Sequence, residues 1–197
     1  MQKLVIASNN PGKLREFQGM LTPLGIEVLT QEQLGIAEAE EPHCTFVENA
    51  LAKARHVSRI SGLPALADDS GICVTALGGA PGVLSARYAG EPKSDTRNNQ
   101  KLLHAMQGVT DRRAHYYCVL VLLHHADDPQ PLIAEGEWHG EIAFELRGDG
   151  GFGYDPLFWM PHLNKTSAEL GRDEKAQISH RAQALQVLLQ RLRIAAV

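Results

Sequence analysis

Residues 3–29, KLVIASNNPGKLREFQGMLTPLGIEVL, decide the fold. KLVIA at 3–7 is a short apolar run bounded by turn residues, the mark of a buried strand. From Gly12 onward the apolar residues Leu14, Phe17, Met20, Leu21 and Leu24 recur at helical spacing, and Pro23 and Gly25 end the segment. IEVL at 26–29 is a second short strand. Strand, helix and strand in this order open an α/β fold.

Working outward, EAEEPH at 38–43 is an acidic loop, and Thr45 with Glu48 forms a capping box for a helix. That helix places Phe46, Ala50, Ala54, Val57 and Ile60 on one face and stops at Gly62. LPALADDSGICVTAL predicts a strand to Ala67, a polar interruption and then another strand, and GGAPGVLSARYAGEP at 78–92 predicts a loop. Ser94 caps a helix through Met106. HYYCVLVLLHH at 115–125 is a long strand, with PLIAEGEWHGEIAFE as its antiparallel neighbour. A Gly-rich loop, GDGGFGYDP, follows, and Ser179 opens a last helix with Ala182, Leu185, Leu188, Leu189 and Leu192 on one face. No repeat, linker or low-complexity tract interrupts residues 1–197, so one domain with a mixed sheet is expected.

The chain has 197 residues, 44% hydrophobic and 21% charged, enough to bury a sizeable core. A net charge of −4 speaks against a nucleic-acid partner, although a single cationic pocket is compatible with it. The three cysteines, Cys44, Cys73 and Cys118, are scattered, which predicts reduced thiols. No signal peptide is predicted from MQKLVIASNN, and no run approaches the roughly 18 apolar residues of a membrane helix. A cytoplasmic location with no membrane partner is the expectation.

Four short stretches can carry chemistry. Ser8-Asn9-Asn10-Pro11-Gly12-Lys13 joins a strand end to a helix start, where unpaired amides and a lysine favour an anion; a plain turn with an exposed lysine is the alternative. It is not a Walker A loop, because Ala7 stands where that motif needs Gly and Leu14 where it needs Ser or Thr. Asp68-Asp69-Ser70-Gly71 sets two acids inside an apolar stretch, which suits a hard cation such as Mg²⁺, or a turn. Glu38, Glu40 and Glu41 of the acidic loop could add a metal ligand or form a solvated face. In Gly150–Pro156 the glycines admit a ligand and Phe152 and Tyr154 offer flat faces, unless the aromatics fold back into the core. Finally, Ser179-His180-Arg181 puts cations at a helix N-terminus, the unfavourable end, which suggests that they hydrogen-bond a polar ring edge. Lys53 and Lys175 read as helix-surface lysines unless they face a pocket. Zinc and Cys–His catalysis find no local support.

Together, Ser-x-Asn-x-x-Lys at 8–13, ADDSG at 67–71, GGAPGVLSARYAG at 78–90, GGFGYDP at 150–156 and Lys175 followed by ISHR resemble the inosine/xanthosine triphosphate pyrophosphatases, in order and spacing along the whole chain. The resemblance implies a two-lobed α/β fold with an elongated mixed sheet flanked by helices and a cleft between the lobes. It implies a Mg²⁺-dependent, homodimeric enzyme that hydrolyses ITP, dITP and XTP at the α–β bond, giving a monophosphate and pyrophosphate. By position, Ser8, Asn9, Asn10, Pro11, Gly12 and Lys13 would hold phosphate, with Lys53 a further substrate-binding candidate. Asp69 would be the general base and a metal ligand with Glu40, and Ser70 would touch substrate. Phe152, Gly153, Tyr154, Asp155, Lys175, His180 and Arg181 would bind the base and nucleotide. The chain departs from the family pattern at Ser8-Asn9-Asn10, where Thr-Gly-Asn is common, and at Gly171, where Thr is common.

Charge fits that reading: lysines and a cation offset the triphosphate, and a carboxylate takes a proton from attacking water. A 6-oxo group is an acceptor that Arg181 or His180 could satisfy. Pyrophosphatases of other modified nucleotides, and a regulatory nucleotide binder, are the competing readings; the paired acids argue against the latter.

Overall fold

The computed structural model describes residues 3–195. Its first strand, β1 (Lys3–Ile6), leads into α1 (Pro11–Leu21) and then β2 (Glu27–Thr30), as the opening stretch predicts. β1 and β2 run parallel, Lys3 opposite Glu27 and Ile6 opposite Thr30. On its other side β1 pairs in parallel with β3 (Ala65–Val74), Val5 opposite Ala65. A central parallel strand is covered on both faces, and Leu4, Val5 and Ile6 are accordingly all buried.

The remaining elements are α2 (Phe46–Ser61), α3 (Asp95–Ala105), β4 (Arg113–Leu123), β5 (Leu132–Ile142), β6 (Phe158–Met160), β7 (Lys165–Thr166), α4 (Arg172–Ile178) and α5 (His180–Ala195). The strands form one mixed sheet in the order β2-β1-β3-β4-β5-β6-β7, with β5–β6 and β6–β7 antiparallel. The chain divides into two compact units. Among the described residues, the first runs to Asp69, takes in Val119–Glu135 and resumes at Ala184; the second comprises Ser70–Cys118 and Gly136–Gln183. The second unit has its own core, in which Ile72, Leu102, Tyr116, Trp138 and Phe158 pack together. Among the described residues no helix is long and apolar enough to cross a membrane.

Several local expectations change. β3 is one unbroken strand of 10 residues through Asp68 and Asp69. Consecutive strand residues project to opposite faces, and each acid meets a lysine from a different helix, so the polar pair does not interrupt the strand. On α2 the buried positions recur every four residues, at Ala50, Ala54 and Ser58 and at Asn49, Lys53 and Val57. The buried face therefore rotates away from Ile60, which is exposed. Leu24 is exposed as well, because α1 gives way at Thr22 to a 3-10 turn closed by left-handed Gly25. Thr45 does cap α2, but the Glu48 carboxylate accepts from the Thr45 hydroxyl rather than a backbone amide, leaving half a capping box. The expected loop at 78–92 contains a 3-10 helix, Gly82–Arg87. Strand β3 passes so close to it that a Cβ on Gly71 would lie 2.4 Å from the Gly82 carbonyl and from Ser85 Oγ.

Candidate active site

In the first unit, the turn before α1 ties itself up. Asn10 is the N-cap, its side-chain oxygen accepting from the amides of Gly12 (2.9 Å) and Lys13 (3.1 Å), while its own amide donates to Ser8 Oγ at 3.1 Å. Pro11 opens the helix and has no N–H. The helix-start amides are thus engaged, not open as the sequence suggests. Asn9, Asn10 and Pro11 are exposed; Ser8 and Gly12 are buried.

Lys13 reaches back from α1 to form an ion pair with Asp68, whose carboxylate is buried. Lys53, far from being a surface lysine, is buried on α2 and bonds Glu41 at 2.7 Å and Asp69 at 3.2 Å. Asn49, one turn before Lys53, donates to the second Asp69 oxygen at 3.3 Å. The acidic loop contributes Glu41 to this group; Glu40 is exposed. Three carboxylates here face two ammonium groups. Burial pushes the Asp69 carboxyl above the ordinary aspartate range, against the pull of Lys53 and Lys13, and Glu41 and Asp68 add to the rise. Burial acts to lower Lys53, but Asp69, Glu41 and Asp68 outweigh it and hold the ammonium above its ordinary value. The donors are hard oxygens, the kind Mg²⁺ takes one or two at a time together with phosphates and water. Among the described residues no three His, Cys, Asp or Glu side chains are arranged to hold a metal by themselves.

In the second unit, buried Asp155 is a hub. One oxygen accepts from Ser167 Oγ (2.9 Å) and the Tyr116 hydroxyl (3.3 Å); the other accepts from the Phe152 amide (2.9 Å) and pairs with Lys175. Gly151, at φ +74°, has no room for a side chain, since a Cβ would sit 1.9 Å from the same carboxylate. Half-buried Phe152 lies under the Lys175 ammonium, 5.1 Å from ring centroid to nitrogen. Tyr154 folds into the core, and its hydroxyl donates to the Ser85 carbonyl at 2.8 Å, so its ring is not an open face. His180 stacks on Tyr116 with ring centroids 4.7 Å apart, and Arg181, almost wholly buried, donates to Ser70 Oγ at 3.0 Å. The buried Ser179 hydroxyl caps α5 by accepting from the Ala182 amide. Gly171 stands at the N-cap of α4, with no side chain to cap it. Asp69 and Ser70 are consecutive residues of β3, the first in one cluster and the second in the other.

Residues 4–191 match the Ham1 family. The chain belongs to the Ham1 family. It is 66% identical to a dITP/XTP pyrophosphatase of Ralstonia nicotianae, over 98% of each chain, and 66% identical to one of Nitrosomonas europaea, over 98% of this chain and 95% of that one. Among solved Ham1 structures, the Coxiella burnetii protein shares 48% identity with a TM-score of 0.92, covering 98% of this chain and all of that one. The Staphylococcus aureus Ham1 protein shares 41% with a TM-score of 0.87, covering 98% and 99%. Within this Ham1 chain, the sequence names Glu41 only as one of several candidate ligands and gives no reading of Asn49, Tyr116 and Ser167. Of the last three, only Asn49 leaves a signal, as a polar residue four before Lys53 on α2, one turn away.

Proposed function

We propose that this Ham1 protein is a Mg²⁺-dependent nucleoside triphosphate pyrophosphatase that hydrolyses dITP, ITP and XTP at the α–β bond, releasing the monophosphate and pyrophosphate. It would thereby keep deaminated purines out of DNA and RNA, acting as a cytoplasmic homodimer. The observation that carries this reading is the buried group of Asp68, Asp69 and Glu41 against Lys13 and Lys53. The buried carboxylate oxygens are hard donors that suit a cation, and the two lysines suit a polyanion. The names of relatives sharing 66% identity point the same way.

Asp69, with one of Glu40, Glu41 or Asp68, would hold Mg²⁺, which when bound supplies charge neutralisation for the triphosphate. Lys13, Lys53, Ser8 and the side-chain amides of Asn9 and Asn10 would bind phosphate oxygens. Asp69, its basicity raised by burial, accepts a proton from the attacking water; the water oxygen joins the α-phosphorus while the bond to the pyrophosphate oxygen breaks. Arg181 or His180 donates to the 6-oxo group and Phe152 offers its ring face to the purine. Because guanine shares the 6-oxo group, discrimination falls on its 2-amino group, where an unpaired buried amine costs about 1–3 kcal/mol. Incubating the protein with dITP and Mg²⁺ tests the reading. Pyrophosphate and dIMP in equal amounts are expected, with activity abolished by a chelator; orthophosphate as the product would place the chain in another reaction class.

A further inference from the structure

The turn carrying Phe152 and Asp155 closes on itself, through the Phe152 amide to Asp155 Oδ2 at 2.9 Å and the Asp155 amide to the Phe152 carbonyl at 3.3 Å. Gly153, left-handed at φ +63°, points both of its backbone polar groups away from these bonds. Both are taken by α3. Asp95 Oδ2 accepts from the Gly153 amide at 2.7 Å, and Asn99 Nδ2 donates to the Gly153 carbonyl at 2.8 Å. The two side chains stand four residues apart, one helical turn, and so form a clasp on a single residue.

The orientation of Asn99 is dictated. Its nitrogen donates to two carbonyls, those of Gly153 and Asp95, so turning the amide over would face oxygen against oxygen. In that orientation its own side-chain oxygen is buried without a hydrogen bond, a cost that helix stability alone gives no reason to carry. The neighbouring Asn98 is buried too, and holds the Ala89 amide and the Ala86 carbonyl. The buried polar face of α3 thus grips two irregular segments.

We propose that Asp95 and Asn99 are positioning residues for base recognition: clasping Gly153, they fix the turn that presents Phe152 and Asp155, and through Asp155 the Lys175 ammonium, without touching nucleotide. This rests on the reading that Phe152 and its neighbours meet the purine. The pair acts on the base alone, so its loss changes selectivity and leaves phosphate binding intact.

The test is steady-state kinetics with dITP and dGTP for Asp95→Ala, Asn99→Ala and Asp95→Asn, together with inhibition by inorganic pyrophosphate. Each alanine variant is expected to raise the KM for dITP about tenfold and to narrow the dITP-to-dGTP ratio of kcat/KM by a similar factor, with kcat within about threefold. Pyrophosphate inhibition stays unchanged, and Asp95→Asn, which keeps an acceptor oxygen, stays near the unaltered protein. Asp95 is exposed, so its variants remain informative even where Asn99→Ala fails to fold. Unchanged KM and selectivity in Asp95→Ala, or pyrophosphate inhibition weakened in the same proportion, overturns the positioning role while leaving the proposed function standing. No dITP hydrolysis by the unaltered protein overturns both.

Discussion

Around Asp69 three carboxylates meet two lysines, whereas around Asp155 one carboxylate meets one lysine, two hydroxyls and a backbone amide. The first group is made of charged side chains drawn from two helices, a strand and a loop. Such a group can redistribute when a polyanion and a cation arrive. In the second group both oxygens of the carboxylate are engaged, and a side chain on Gly151 would collide with one of them. That is the construction of a surface that must keep its shape. A buried charge can thus serve chemistry when its partners are mobile, or geometry when they are not.

Replacing the two acids in turn breaks the comparison most directly. Asp69→Asn should cut kcat for dITP by about a thousandfold, because it removes the proposed base together with a proposed Mg²⁺ ligand. Its urea-denaturation midpoint should stay near that of the unaltered protein, since Lys53 keeps its ion pair with Glu41. Asp155→Asn should do the reverse in kind. It leaves Lys175 without its charge partner and turns an amide donor toward other donors, so the folded state should lose about 3 kcal/mol in the same urea titration. Equal stability loss in both variants would erase the distinction. Gly151→Ala comes next: the left-handed backbone and the blocked space beside Asp155 should cost about 2 kcal/mol, read as a lowered melting temperature.

The smallest effect is in the pH profile. Burial raises the Asp69 carboxyl in the metal-free protein, so with Asp69 as the proposed base the acid limb of kcat/KM at limiting Mg²⁺ should lie above the ordinary aspartate range. The same shift has a stability sign. A folded-state value above the unfolded one means that stability falls as pH rises from the unfolded value through the folded one, and Asp69→Asn should remove that slope. At limiting Mg²⁺, an acid limb at or below the ordinary aspartate value would remove Asp69 from the role of base, whereas bound Mg²⁺ itself lowers that limb.

Much of this was legible in the chain. The apolar run at Leu4–Ile6 and the helical spacing of Phe17 and Leu21 carry their own periodicity, which burial reproduces. Asp68 and Asp69 stood out as acids inside an apolar stretch, and Arg181 as a cation at the wrong helix end. What stayed hidden depends on partners distant in sequence. Nothing local says that Lys13 will cover Asp68, so the acids read as a break in β3. In the loop at 38–43, no period says which glutamate turns inward; Glu41 does, and Glu40 does not. The sequence leaves Tyr154 between an open ring face and a core side chain, because its hydroxyl partner, the Ser85 carbonyl, lies 69 residues away. Asn99 has no sequence mark at all, since its partner is a backbone carbonyl.

In the proposed reaction, water attacks the innermost phosphorus of a deaminated purine triphosphate. Hydrolysing dITP in water enriched in heavy oxygen, and weighing both products by mass spectrometry, tests it most directly. The account predicts the label in dIMP and none in pyrophosphate. Label in the pyrophosphate would place the attack on the β-phosphorus and contradict it.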